Sequence, residues 1–559
     1  MPMPKIDLTP LLATDLAVLP LLRKQRRRFA VGMLLLLALA LSGCTTGRHG
    51  EPSASDLHTL RESLYVEPTT LEPANIPDQP TAELLMHIFE GLVRINQNNQ
   101  VEPALAETWE ISKDGKAYTF HLRKGVTFSN GRPLAAADFK YSWEHALSPQ
   151  TASPVAANYL DGILGVKDVV AGRRKDLPGV KALDDQTLQV QIDRPRAYFL
   201  DMLTYPTGWV ICKEAVEKNG GVVNQNSLIG TGPYTLESYR PGNDLTLAAN
   251  PSYWGGRPKL DRIEMPIILD RDTIYNNFVT GRLDFVALIS PIRYAQDRDA
   301  HKLTDEYKLV PEAVVDYVSM NEAIPAFANK LVRQAILLAI DRDQIYRVAY
   351  KNVGAIAEGM LPPELPDAGP PPPHIPYDPA RARQLLSQAG YPGGKDFPPI
   401  TLTFQQHEPT YAAVAQIIMA NLRDNLGLTV NPQVLEFGEF INAETRHALQ
   451  LYISNWVADY PDPQDFLSTL FVSTAPLDRT GHKNPAFDAL CARADAESNH
   501  ALRASLYSQA NRILMDDAAV LPLVFSPRII LVQPNVQGWR ANLCNLLPHT
   551  QTVKTSNRG

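Results

Sequence analysis

Hydrophobic positions along the chain follow two alternating rhythms. Tyr118, Phe120 and Leu122 alternate with Thr119 and His121, which predicts a half-buried strand after a turn at Ser112-Lys113-Asp114-Gly115. Beyond the tight turn Ser129-Asn130-Gly131, Phe139, Trp143 and Ala146 recur at helical spacing and read as one core-facing stripe. Asp378-Pro379 then offers an N-cap and a proline at the first helical position; Leu385, Leu386 and Ala389 form the stripe, and Gly390 ends the helix. Val414, Ile417, Ile418 and Leu422 predict a second helix ending at Gly427, with a strand over Leu428 to Val434. Leu451-Tyr452-Ile453 is strand-like, and so is Ile529-Ile530-Leu531 near the end, which needs a sheet to join. Strands alternating with helices predict the α/β class. Pro370 to Pro373 fits neither a helix interior nor a central strand, so it reads as a stiff surface connection.

The first stretch of the chain has a different pattern. Arg23-Lys24-Gln25-Arg26-Arg27-Arg28 precedes an apolar run from Val31 to Leu41, then Leu41-Ser42-Gly43-Cys44 and a polar stretch. Eleven residues suit the h-region of a signal peptide (about 7 to 15) and fall short of the roughly 20 that span a bilayer. Leu41-Ser42-Gly43-Cys44 also resembles the bacterial lipoprotein box, which implies cleavage before Cys44 and lipid on that thiol. Acyl chains supply about 0.8 kcal/mol per buried methylene, enough when several act together to hold a soluble body at a membrane. Residues 1–43 therefore read as a lipoprotein signal peptide and 44–56 as lipidated cysteine and tether. The expected location is the periplasm or cell envelope, anchored by lipid and facing away from the cytoplasm.

Composition and charge narrow the function. With 559 residues, 45% of them hydrophobic and 20% charged, the chain can build two or more cores, and a cleft between lobes is favoured over disorder. The net charge of −7 includes a leader with six basic side chains against two acidic ones, leaving −11 on the rest. Phosphate neutralisation needs clustered Lys and Arg, so no nucleic-acid partner is expected. After Cys44 only Cys212, Cys491 and Cys544 remain, too far apart for a CxxC pattern and too few for a disulfide scaffold; a single bridge among them stays open. His407-Glu408-Pro409-Thr410-Tyr411 begins like a zinc motif, but its fifth position is Tyr and Pro409 opposes a helix interior. Gly230-Thr231-Gly232-Pro233-Tyr234-Thr235 lacks the third glycine of a nucleotide turn. Neither a GxSxG elbow nor a Walker A loop occurs, and the 12 His form no ligand-spaced cluster. No catalytic residue, metal or cofactor is expected.

From Ala106 to Trp143 the chain resembles the signature stretch of the extracellular solute-binding proteins of oligopeptide, dipeptide and nickel ABC importers. The likeness extends through Ile88 to Leu92, Gly230 to Tyr234, Asn250 to Trp254, Val332 to Ala335, Ala339 to Arg342 and Ala458 to Tyr460. It implies a bilobed fold of the type II periplasmic-binding-protein kind, with an extra domain and a hinged ligand cleft. A first lobe would take residues 45–89, 213–314 and 527–559, the extra domain 90–212, and the second lobe 315–526.

The same resemblance implies a monomeric receptor that captures peptides and delivers them to a membrane ABC importer permease, with no covalent chemistry of its own. It places the ligand site around Asn455 to Pro463. Asp459 would pair with the ligand's α-amino group, Trp456 would offer a flat apolar wall, and Phe437 would be a second pocket aromatic. Backbone groups of Asn455 and Val457 would hydrogen-bond an extended peptide. Ile453 stands where oligopeptide receptors carry an arginine for the peptide carboxylate, Val457 replaces a cleft cysteine, and Val155 replaces a tyrosine for which nearby Tyr159 is a substitute. These departures point to a ligand of different length or class. The alternatives are a non-peptide ligand in the same fold, such as a nickel chelate or haem, and, from another class, a lipid-anchored hydrolase.

Overall fold

The computed structural model describes residues 54–556 apart from 476 and 479, so Cys44 and the signal segment lie outside the described residues. A short helix, Ala54–Leu57, opens the described chain where a tether was expected through residue 56.

Local chemistry sets each element. The strand Ala106–Ile111 turns back into Ala117–Leu122 through Gly115, whose φ of 66° suits a residue without Cβ, while Ser112 Oγ accepts from Ala117 N at 2.9 Å. With Thr187–Gln191 and Val180–Asp184 this hairpin forms a four-stranded antiparallel sheet. Helix Ala136–Leu147 packs on it, burying Phe139, Trp143 and Ala146, and the Trp143 indole donates to Gly208 O at 3.2 Å.

A six-stranded mixed sheet runs in the order Ala355–Ile356, Val520–Phe525, Val314–Met320, Leu451–Val457, Ile400–Gln405, Val430–Leu435. Its helices carry the expected caps. Asp378 accepts from Arg381 N at 2.9 Å to start Pro379–Gln388, and Gly427, at φ 71°, ends Pro409–Leu426. The latter helix starts at Pro409, so His407 and Glu408 lie ahead of it. The strand expected over Leu451 to Ile453 runs on through Val457, which makes Asn455, Trp456 and Val457 strand residues.

A third body combines distant segments. Thr59–Arg61 pairs in parallel with Arg262–Pro266, followed by Asp244–Ala249 and Tyr234–Arg240. Arg528–Val532, from near the end of the chain, inserts antiparallel between Phe285–Val286 and Tyr307–Val310. Gly230 and Gly232 let the chain press against the His87-Ile88 backbone. A Cβ on Gly230 would stand 1.9 Å from Ile88 O, so this glycine pair serves close packing.

Separate apolar cores lie beneath these sheets. The largest extends from the antiparallel sheet through Tyr198, Tyr205 and Tyr460 into helices Pro463–Phe471, Pro485–Ala496 and His500–Asp516. Others fill the six-stranded sheet and the third body. Cys212, Cys491 and Cys544 are buried free thiols. No helix among the described residues is long and apolar enough to cross a membrane.

Candidate ligand cleft

The central strands of the six-stranded sheet build one wall of a cleft. Leu451–Val457 pairs with Val314–Met320 so that Asn455 lies opposite Asp316 and Val457 opposite Val314. Residues opposite one another in a sheet share a face. Val314, Asp316, Asn455 and Val457 all line a cavity of about 860 Å³, whose other walls include Tyr65, Asp78, Pro154, Tyr159, Tyr205 and Arg271. The cavity thus meets all three sheet bodies.

Every ligand residue expected from the sequence lines this cavity: Phe437, Asn455, Trp456, Val457 and Asp459. Their environments differ. Trp456 alternates to the opposite side of the strand from Asn455 and packs against the largest core, its indole donating to Asp465 Oδ2 at 3.1 Å. Phe437 opens helix Phe437–Thr445 and is half-buried. Ile453, at the arginine position of oligopeptide receptors, is fully buried in the core of the six-stranded sheet.

Asp459 follows the strand end, and two contacts fix it. Its backbone N–H donates to Asp465 Oδ2 at 2.9 Å, and Tyr159 Oη donates to its Oδ2. Tyr159 is itself held by stacking on Tyr205, with ring centroids 3.5 Å apart and planes at 14°. Asp462 caps helix Pro463–Phe471 by accepting from Gln464 N at 2.8 Å, which places Asp465 in the first turn facing back toward Asp459. Burial pushes the Asp459 carboxyl up to about 7, against the lowering effect of the Tyr159 hydroxyl. Asp465 is driven well above the usual carboxylate range, first by burial and then by the charge of Asp459. Its Oδ1 has no hydrogen-bond partner.

Two guanidinium groups line the cavity, and both form ion pairs, with Arg271 Nη1 left without a hydrogen-bond partner. Arg528 pairs with Glu83 at 2.6 Å and Glu312 at 2.7 Å. Arg271, on helix Arg271–Val279, pairs with Glu408 at the N-cap of Pro409–Leu426 and lies 4.4 Å from the Tyr65 ring centroid. This contact joins the third body to the six-stranded sheet across the cleft. A smaller cavity, about 310 Å³, touches Val457, Ala458 and Asp459 and is lined also by Met86, Phe89 and Trp209.

Asp465, Asp316 and the Tyr159–Asp459 bond escaped the sequence reading. Asp316 left one signal, a single acid inside the mostly apolar and wholly buried strand Val314–Met320. The other contacts left none, because Tyr159 lies 300 residues from Asp459 and Asp465 resembles any first-turn acid.

An α/β chain whose sheet bodies enclose a deep cavity defines a bilobed binding protein. Residues 100–477 match the bacterial extracellular solute-binding proteins, family 5, in the middle region, and the chain belongs to that family. It is a solute-binding protein and not an enzyme. It is 31% identical to the periplasmic oligopeptide-binding protein OppA of Salmonella typhimurium, over 91% of this chain and 95% of the relative. Identity to the dipeptide-binding protein DppE of Bacillus subtilis is 29%, over 92% and 97%. A structure of the Escherichia coli murein tripeptide binding protein MppA superposes with a TM-score of 0.82 at 27% identity, covering 89% of this chain and 99% of MppA. The unliganded open form of MppA gives 0.67, at 26% identity over 89% and 97%. The present arrangement is therefore further from that open form than from the first MppA structure.

Proposed function

We propose that this chain is a lipid-anchored receptor of the cell envelope that captures peptides in a closing cleft and hands them to a membrane ABC importer. The observation that carries the reading is Asp459, a carboxylate inside a large cavity between the sheet bodies, braced by Tyr159 and by Asp465. An α-ammonium entering such a site needs this partner, because a buried charge left unpaired is costly. Asn455 and Val457 supply main-chain groups for an extended ligand, with Phe437 and part of Trp456 as its apolar surroundings. Ile453, buried where oligopeptide receptors carry an arginine, favours ligands whose carboxylate is not gripped by charge at that position, and so a different length or class of ligand.

The proposed partition is a first lobe of 45–89, 213–314 and 527–559, an extra domain of 90–212 and a second lobe of 315–526. The three sheet bodies support it, as do the separate cores of the six-stranded sheet and of the third body, while the largest core runs on from the extra domain into helices of the second lobe. The receptor acts as a monomer, tethered through Cys44. Cys44→Ser is expected to release it from the membrane fraction without unfolding the body, as fractionation and lipid labelling would report.

Native mass spectrometry of the protein purified without unfolding tests the ligand class. Peptide masses that vanish after denaturation support the reading. A chelate, haem or other non-peptide as the sole bound species overturns it.

A further inference from the structure

The cavity wall holds a second buried acid, Asp316. Asp316 lies on the central strand of the six-stranded sheet and is only 6% exposed, yet it lines the cavity. Tyr411 Oη donates to its Oδ1 at 2.8 Å, and Ser526 Oγ makes a longer contact of 3.3 Å to Oδ2. Two further hydroxyls line the same cavity with hydrogen-bonding capacity to spare. Thr410 Oγ1, on a residue 5% exposed, makes no hydrogen bond, and Tyr350 Oη, beside the Asp316 carboxylate and on a residue 1% exposed, makes no well-formed one. Buried hydroxyls are rarely left unsatisfied, and both of these border a cavity large enough for a ligand.

The surrounding charge is predominantly negative. Among the described residues, eight carboxylate side chains and two guanidinium groups line the cavity, and both guanidinium groups are already paired. A cleft of this sign concentrates cations.

We propose that Asp316, with Thr410 and Tyr350, forms a subsite for the basic side chain of a peptide whose α-ammonium rests on Asp459. The inference rests on the peptide reading. Register sets the spacing: Asp316 lies opposite Asn455, four residues before Asp459, so at about 3.3 Å per residue the two acids stand on the order of 13 Å apart or less along the strand. An extended peptide advances at a similar rate, only about 7 Å by its third residue, so a lysine or arginine at its second or third residue reaches Asp316 by running its long side chain on along the strand. An ammonium or guanidinium head has enough donors to reach the carboxylate and both hydroxyls.

The test is calorimetry on the full chain freed of ligand, with Ala-Lys-Ala and Ala-norleucine-Ala, which share an aliphatic stem and differ in charge. Wild type is expected to prefer the lysine peptide by about tenfold or more, as a desolvated charge pair would provide. In Asp316→Asn the preference should shrink to within about threefold, while the norleucine peptide keeps its affinity; Thr410→Val should reduce the preference partially. Equal binding of the two peptides by wild type overturns the subsite without any mutant, and so does an equal loss for both peptides in Asp316→Asn. If neither peptide binds wild type, the peptide reading itself falls and takes this inference with it.

Discussion

Asp459 meets two opposed demands. Its carboxyl, raised to about 7 by burial, holds a proton more tightly in the native state than in the unfolded chain. Its contribution to stability is thus complete below about pH 4 and lost as pH rises through about 7. Ligand capture needs the opposite form, the ionised carboxylate. Asp459→Asn is therefore expected to leave the ligand-free protein at pH 8 no less heat-stable than wild type, by calorimetric scan, while peptide affinity falls roughly 100-fold to several thousand-fold, the usual 3 to 5 kcal/mol for breaking a buried ion pair. Acetylating the peptide's amino group should harm wild type similarly and the variant little further, so the two losses are less than additive. Small or fully additive losses would make Asp459 a turn residue. Affinity for a free-amino peptide should also weaken as pH falls from 8 to 5.5, because the acid then carries the proton. A flat profile over that range would contradict the pairing.

At the scale of elements, the site depends on a strand end joined to a helix start. Asp465 accepts both the Asp459 N–H and the Trp456 indole through one oxygen, so an asparagine can keep those bonds while removing the charge. Asp465→Asn should hold peptide affinity at pH 8 within about threefold and leave the binding midpoint in place, because Asp465, driven well above the usual carboxylate range, still carries its proton while Asp459 ionises. A midpoint that moves to lower pH would show instead that a charged Asp465 repels Asp459.

Elements of this kind were legible in the sequence where a local rule governs them. Asp378-Pro379 and Gly427 marked helix ends because caps are made by neighbours in the chain. The strand after Leu451 was undershot because Asn455 and Trp456 break its apolar run. One borders the cavity and the other turns into the core, so neither follows a simple pattern of burial. Asp459 itself was legible only through resemblance, whereas its partners Tyr159 and Asp465 arrive through tertiary packing that no local spacing encodes.

Across the whole molecule, several chain crossings join bodies that share one cavity, the arrangement in which a bound ligand shifts an open and closed equilibrium. The Arg271–Glu408 pair spans the cleft and can form only when the two bodies approach. Binding to the native form alone also raises the melting temperature, by RT ln(1 + [L]/Kd), or about 2.7 kcal/mol at 100 times Kd. Closure on a peptide is the central claim, and small-angle scattering of the ligand-freed protein, titrated with a peptide that calorimetry shows to bind, tests it most directly. The account predicts that the radius of gyration falls with occupancy and levels off at saturation. A radius unchanged at saturation would contradict it.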